Sequence, residues 1–479
     1  MNKLIFVLLL FLNTHSYAVL NTQHDSIRGA LRPERVCFDV TYYDLKIDID
    51  PFRKEIIGHN DIYFQCLKES KSIQIDLFRQ YQINSIYLHA PIDSSDLEEI
   101  VPVEFKKVQN ALFLSFPIPI QIGKNYKLKI SYQGSPNEAK KAPWDGGFVW
   151  SKDSLDRFFC GVACEGWGAS SWWPCKDHLS DEPDSMRLTF TVPEGYQCIS
   201  NGRFVGKKQI HQENKILEEY VWKVTYPINT YNVSFYLGHF AKIESWYISG
   251  LDSLKTEFFA LDYNIKKAKK QFDHVIPMLR IYEELFGKYP FWRDGYKLVE
   301  APYLGMEHQS AIAYGNNYKK GYLGYYPEDL DFDYIIIHES GHEYWGNSVS
   351  MEDIADMWIH ESFCTYTEVL YTEKKYGYDK SIIYLRSQRR MKNDKPMIGE
   401  YNLNSEGSGD IYGKGSWMLH TIRKQINNDS LWFASIKEFY QNFKIKTTNT
   451  EEVLQWFERK LGKEVKTLMQ RYLYQSDIP

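Results

Sequence analysis

The chain has 479 residues, 43% of them hydrophobic, enough for two or three domains with sizeable cores. Net charge is −5 with both signs interspersed and no long basic or arginine-rich run, which argues against nucleic acid as a partner. No segment carries the ~20 consecutive apolar residues of a bilayer-spanning helix, so no stable membrane span is expected.

The N-terminus reads as an export signal. Lys3 supplies a positive start, an apolar run covers 4–12, and Ser16-Tyr17-Ala18 offers a small-x-small cleavage site. Val19 rather than Cys follows the expected cut, so a lipid anchor is not indicated. The expected divisions are a signal peptide over 1–18, an N-terminal β-domain over 19–245 and a catalytic domain over 246–479. Export would place the mature chain in the periplasm or outside the cell. Seven scattered cysteines leave disulfide pairing open, and buried free thiols are the expectation for most of them.

From about 36 to 245 the apolar residues recur with a period of two. Tyr43 to Ile49, Tyr126 to Ile130 and Met186 to Val192 all alternate, as half-buried strands do. Gly134-Ser135-Pro136-Asn137 and Asp145-Gly146-Gly147 punctuate them as turns. After about 246 the period lengthens. Residues 265–286 read as one kinked helix or two, broken at Pro277 and ending near Gly287. A mixed stretch over 296–314 suggests strands. Asp331 and Asp333 then supply carboxylates for the start of a helix through His338 and His342. Residues 354–375 make the next helix, and helices near 415–427, 430–442 and 450–460 close the chain. Asn449 and Glu452 have capping-box spacing.

His338-Glu339-Ser340-Gly341-His342, followed after eighteen residues by Glu361, is the most informative motif. Residues four apart share a helix face, so both imidazoles reach one ion. A carboxylate from a second helix completes three ligands and leaves a position open for water, the mark of a catalytic zinc site. Glu339 leaves the helix at a neighbouring azimuth, where it cannot easily bind the same ion but can remove a proton from that water. Glu368, seven residues after Glu361, reads equally as a support for a zinc histidine or as a charge on a solvated face.

The chain resembles the zinc peptidases of the aminopeptidase N and leukotriene hydrolase family, whose pattern is this motif with its eighteen-residue spacing to Glu. Leu304-Gly305-Met306-Glu307-His308 is similar to the family's Gly-x-Met-Glu-Asn element, and Tyr412-Gly413-Lys414-Gly415 to its Tyr-x-Lys-Gly element. Ala163-Cys164-Glu165 is similar to a Gln-Cys-Glu element, and Trp173 to Asp177 and Asp181-Glu182-Pro183 follow where the family has them. The resemblance implies a multidomain α+β chain: an antiparallel, saddle-like β-sheet domain, then a thermolysin-like mixed α/β catalytic domain. It implies one Zn2+ on His338, His342 and Glu361, with Glu339 as base and Tyr412 donating to the oxyanion. Glu307 and Glu165 would hold the free α-amine of a peptide, beside Gly305 and Met306.

Departures from the family pattern are Leu304 for Gly, and His308 and His360 for Asn; His308 would add a titrating charge near the amine site. Family members also continue beyond the point where these residues end, into modules that wall the cleft. Two readings follow: a reduced enzyme with a broad cleft, or a chain needing a partner, for which no residue speaks. The leading expectation is a zinc aminopeptidase acting on peptides with a free N-terminus. A zinc-retaining peptide-binding protein with weak or no catalysis and a zinc endopeptidase are the alternatives.

Overall fold

The structure is a computed structural model that describes residues 26–91, 98–212, 215–389 and 391–476; the signal segment expected over 1–18 lies outside the described residues. The period-two segments are strands. In Phe38–Asp50, Tyr43, Leu45, Ile47 and Ile49 are buried, while the residues between them stay partly exposed.

That strand belongs to an eight-stranded sheet, in spatial order Arg203–Gln212, Lys215–Val224, Ser185–Pro193, Phe38–Asp50, Glu55–Cys66, Asn125–Gly134, Gln82–Pro91 and Glu98–Pro102. Its pairings are antiparallel except Phe38–Asp50 beside Ser185–Pro193. The whole of 51–184 separates these two, ample for the return that a parallel pair requires. A three-stranded and a four-stranded sheet complete the first half. The segment from Trp173 to Pro183 braces this half from within. Lys176 pairs with Asp181 at 2.5 Å, and the Ser350 hydroxyl donates to Glu182 from the second half.

The second half is built on a mixed five-stranded sheet, ordered Phe240–Ser249, Asp252–Leu261, Tyr296–Glu300, Ile312–Tyr314 and Gly305–Met306. The division expected at 245/246 falls inside Phe240–Ser249, so the change of sheet precedes residue 240. The halves also share apolar packing: Val299, Tyr303, Met306 and Ala313 join the core of the β-domain.

Of the two expected forms of 265–286 the two-helix one is found, as Ile265–Phe272 and Val275–Leu285, but the break is not at Pro277. Proline sits in the first turn of the second helix, where its missing N–H has no partner to lose. Asp333 caps the helix Tyr334–His342 by accepting from the N–H groups of Ile335 and Ile336. A short 3-10 turn, Ile354–Asp356, precedes the helix Trp358–Tyr376. Glycine at 341 lets these two helices close: a Cβ there would lie 2.9 Å from Cys364 Sγ. Gly413–Ile426, Asp429–Phe443 and Thr450–Leu461 are the expected closing helices, and Tyr378–Ser387 and Lys463–Tyr474 are two more. Asn449 caps through Glu452 N–H, but the Glu452 carboxylate turns to the Thr448 hydroxyl, so only half of the capping box forms. The seven cysteines are all buried free thiols.

Candidate metal centre and amine site

His338 and His342 lie one turn apart on one helix face, with their Nε2 atoms 3.2 Å apart. Glu361, in the first turn of Trp358–Tyr376, brings Oε2 to 3.6 Å from His338 Nε2 and 3.5 Å from His342 Nε2. A tetrahedral ion with bonds of ~2.0–2.1 Å needs donors about 3.3–3.4 Å apart. The triangle fits a zinc-sized divalent cation. Glu361 Oε2 is also buried with no hydrogen-bond partner, a costly state for a carboxylate oxygen unless a cation completes it. Burial pushes the Glu361 carboxyl up, but the two imidazoles outweigh it and hold the group well below its usual range.

Each imidazole is aimed from behind. Nδ1 of His338 is 2.6 Å from Glu368 Oε1, and Nδ1 of His342 is 2.9 Å from the Trp345 carbonyl oxygen. With Nδ1 donating to these acceptors, both Nε2 lone pairs face the same point. Tyr334 stacks on the His338 ring at 5.1 Å and 15°. Cys364 does not join the set, because its Sγ donates to the His338 carbonyl at 2.9 Å and approaches Nδ1, on the far side of the ring.

Glu339 is buried beside the triangle; donor atoms of Glu307, Glu339 and His342 lie within 4.8 Å of one another. Burial pushes the Glu339 carboxyl up to about 7, with the imidazoles opposing and the Glu307 and Glu361 charges adding to the rise. Its Oε1 rests on Gly305, where a Cβ would come within 2.5 Å. Gly305–Met306 is an edge strand, paired only with Ala313 and Tyr314, and the Met306 side chain is buried in the core. The segment therefore offers backbone, not a side chain, to anything lying along it.

Glu307 is buried, and its Oε1 accepts from the Tyr231 hydroxyl at 3.1 Å. Glu165 shares its field: burial and then the Glu307 and Glu361 charges hold the Glu165 carboxyl well above its usual range. Neither carboxylate has a lysine or arginine partner among the described residues. Two carboxylates repelling each other beside a cleft make a site for a mobile cation. Tyr412 precedes the helix Gly413–Ile426, and its ring faces His338 at 6.3 Å and 28°. With Tyr334 and Tyr384 it walls a cavity of about 400 Å³. Desolvation, then the Glu361 and Glu165 charges, hold its phenol well above the usual range. The hydroxyl therefore stays protonated and able to donate.

Models of the peptidase M1 N-terminal domain and of the peptidase family M1 domain match residues 40–232 and 270–472. The chain belongs to peptidase family M1. Endoplasmic reticulum aminopeptidase 1 of Homo sapiens is 22% identical over 369 residues, covering 72% of this M1 chain and 37% of its own length. Alanine/arginine aminopeptidase of Saccharomyces cerevisiae is 20% identical over 456 residues, covering 87% and 50%. The chain thus spans between 37% and 50% of the length of the curated relatives it matches. Among solved structures, a two-domain M1 zinc metallopeptidase mutant bound to L-tryptophan aligns with TM-score 0.74 and 18% identity, over 94% of this chain and 96% of its own. A mutant M1 zinc metallopeptidase from Deinococcus radiodurans bound to a Tyr-Ser-Ala substrate aligns at 0.72 and 18%, over 92% and 95%. These likenesses extend the shared fold across both halves.

Two departures from the M1 pattern prove electrostatically silent. His308 was expected to add a titrating charge near the amine site, but burial pushes its imidazole down to about 3, and Nδ1 is engaged by the Tyr236 hydroxyl at 2.6 Å. His360 is likewise pushed down to about 3 by burial, and its Nε2 accepts from Met351 N–H. Both stay neutral and structural. Sequence reasoning missed Tyr231 and Trp345, whose roles around Glu307 and His342 come from long-range contact and a backbone carbonyl. Neither carries a local signal.

Proposed function

We propose that the chain is an exported, zinc-dependent aminopeptidase that hydrolyses the N-terminal bond of peptides. The observation that carries this reading is the donor triangle of His338, His342 and Glu361 set beside the carboxylates of Glu307 and Glu165, which have no lysine or arginine partner among the described residues. A free ammonium is costly to desolvate without a counter-charge, so such a site selects peptides with an unblocked N-terminus. The names of the relatives, two of them aminopeptidases, agree with it.

His338, His342 and Glu361 would hold a zinc ion, which when bound would supply Lewis-acid chemistry for the scissile carbonyl and for water. Glu307 and Glu165 hold the ammonium and so fix the distance of the first peptide bond from the triangle. The free edge of Gly305–Met306 receives the substrate backbone. Glu339 takes the proton of the attacking water at its carboxylate and passes it to the leaving amine. Tyr412 donates a hydrogen bond to the carbonyl oxygen as charge builds there. Lys3, the apolar run over 4–12 and Ser16 to Ala18 support export. No helix among the described residues is long and apolar enough to cross a membrane.

The test is a fluorogenic aminoacyl-amide assay with and without chelator, run beside free and N-acetylated forms of one peptide. Hydrolysis of the free form should vanish with chelator and return with zinc, and the acetylated form should be a poor substrate. Equal rates on both forms would identify an endopeptidase. Peptide binding without turnover by the zinc-loaded chain would identify a binding protein.

A further inference from the structure

We propose that the N-terminal β-domain positions the amine-binding carboxylate: Tyr231 and the Asn232–Asn347 pair hold Glu307 in place. The proposal rests on the aminopeptidase reading above and adds to it which residues make the selection of a free amine work.

Glu307 follows the edge strand Gly305–Met306 and lies in no regular element, so no sheet ladder or helix fixes it. A chain of buried amides does so instead. Asn347 Nδ2 donates to the Glu307 carbonyl oxygen at 2.7 Å, and Asn232 Nδ2 donates to Asn347 Oδ1 at 2.7 Å. Asn201 Nδ2 donates in turn to the carbonyls of Asn232, at 2.9 Å, and Gln309, at 2.8 Å. All three asparagines are at most 2% exposed. The segment just beyond is clamped as well. Ser310, held at φ 56, accepts from Gly202 N–H through its hydroxyl and donates its own N–H to Glu343 Oε1. The bonds run from the amide donors and hold the Glu307 backbone from both sides, although Asn232 Oδ1, Gln309 Oε1 and Glu343 Oε2 are buried without a hydrogen-bond partner among the described residues.

The direction of these bonds matters for function. Asn201, Gly202, Tyr231 and Asn232 come from the β-domain, and Glu343 and Asn347 from the turn that ends the zinc-site helix. Glu307 is therefore tied at once to the β-domain and to the element that carries His338 and His342. Tyr231 engages Oε1 of the carboxylate directly and leaves the second oxygen for a ligand. An anchor held in this way keeps the ammonium at a set distance from the reacting bond, which is where positional error costs rate.

Tyr231→Phe, Asn232→Leu and Glu307→Gln are compared by zinc content, by KM and kcat on an aminoacyl amide, and by the ratio of kcat/KM on free and N-acetylated peptide. Tyr231→Phe should raise KM about tenfold and lower that ratio to match, with kcat changed far less and zinc still stoichiometric. Asn232→Leu should do the same. If it fails to fold, Tyr231→Phe alone decides, since it deletes a single hydroxyl. In a Glu307→Gln background Tyr231→Phe should add nothing, because its effect passes through the missing carboxylate. An unchanged KM and ratio in Tyr231→Phe, with Glu307→Gln defective, overturns the positioning role and leaves the aminopeptidase reading standing. A parent-like ratio in Glu307→Gln removes the anchor itself, and this inference with it.

Discussion

Glu368 Oε1 lies 2.6 Å from Nδ1 of His338, and its second oxygen accepts from the Tyr384 hydroxyl at 2.5 Å. The carboxylate is wholly buried, so the solvated-face reading of this position fails, and its work is to fix the tautomer and angle of the ring. Glu368→Ala should weaken zinc binding by about 10- to 100-fold, with Glu368→Gln in between because an amide oxygen still accepts from Nδ1. Competition against a chromogenic chelator measures this. Parent affinity in the alanine variant would deny the support role.

Glu339 sits beside the donor triangle but is not one of its corners, which separates proton transfer from metal retention. Glu339→Gln should keep stoichiometric zinc and a near-parent KM while turnover falls by about 10²- to 10⁴-fold. Metal analysis and steady-state kinetics on the same preparation make the comparison. Turnover within a small factor of the parent would reject Glu339 as the base.

Gly305 gives a sharper geometric test, because it touches Glu339, the proposed base, rather than the donor triangle. A Cβ at 305 would stand 2.5 Å from Glu339 Oε1 and 3.1 Å from Ile335 Cδ1. The strand edge cannot retreat without breaking its pairing with Ala313 and Tyr314, so the Glu339 side chain must move. Gly305→Ala should lower kcat by about 10- to 100-fold, leaving zinc content and melting temperature close to the parent. A parent-like kcat would show that Glu339 acts from a different rotamer.

What the sequence made legible divides along physical lines. His338, His342 and Glu361 could be read because helical period puts residues four apart on one face whatever the tertiary setting. Glu307 became readable only through its neighbours Gly305 and Met306. Tyr231 could not be read at all: it is one of 36 tyrosines and lies 76 positions from the carboxylate it contacts. The fold shows the same limit. Alternation identified Phe38–Asp50, but nothing local says that its neighbour Ser185–Pro193 runs parallel. The helix Tyr378–Ser387 goes unread because it starts directly after Gly377 ends Trp358–Tyr376 and its buried residues are only Ser381, Tyr384 and Leu385. Lys463–Tyr474 goes unread although Val465, Met469, Tyr472 and Leu473 follow helical spacing.

Asp333 links the stability of the zinc-site helix to pH. Burial pushes its carboxyl up to about 7, against hydrogen bonds from Tyr314, Asn316 and the helix N–H groups that favour the charged form. An unfolded aspartate gives up its proton near pH ~4. Between those values the folded chain holds a proton that the unfolded chain has lost. The contribution is therefore complete at low pH and disappears as pH rises through 7. Asparagine imitates the neutral carboxyl and is itself a good helix cap. Asp333→Asn should match or slightly trail the parent in melting temperature at pH 5 and exceed it at pH 8. Thermal melts of both proteins across that range decide the matter, and curves that stay parallel would show that Asp333 is charged throughout.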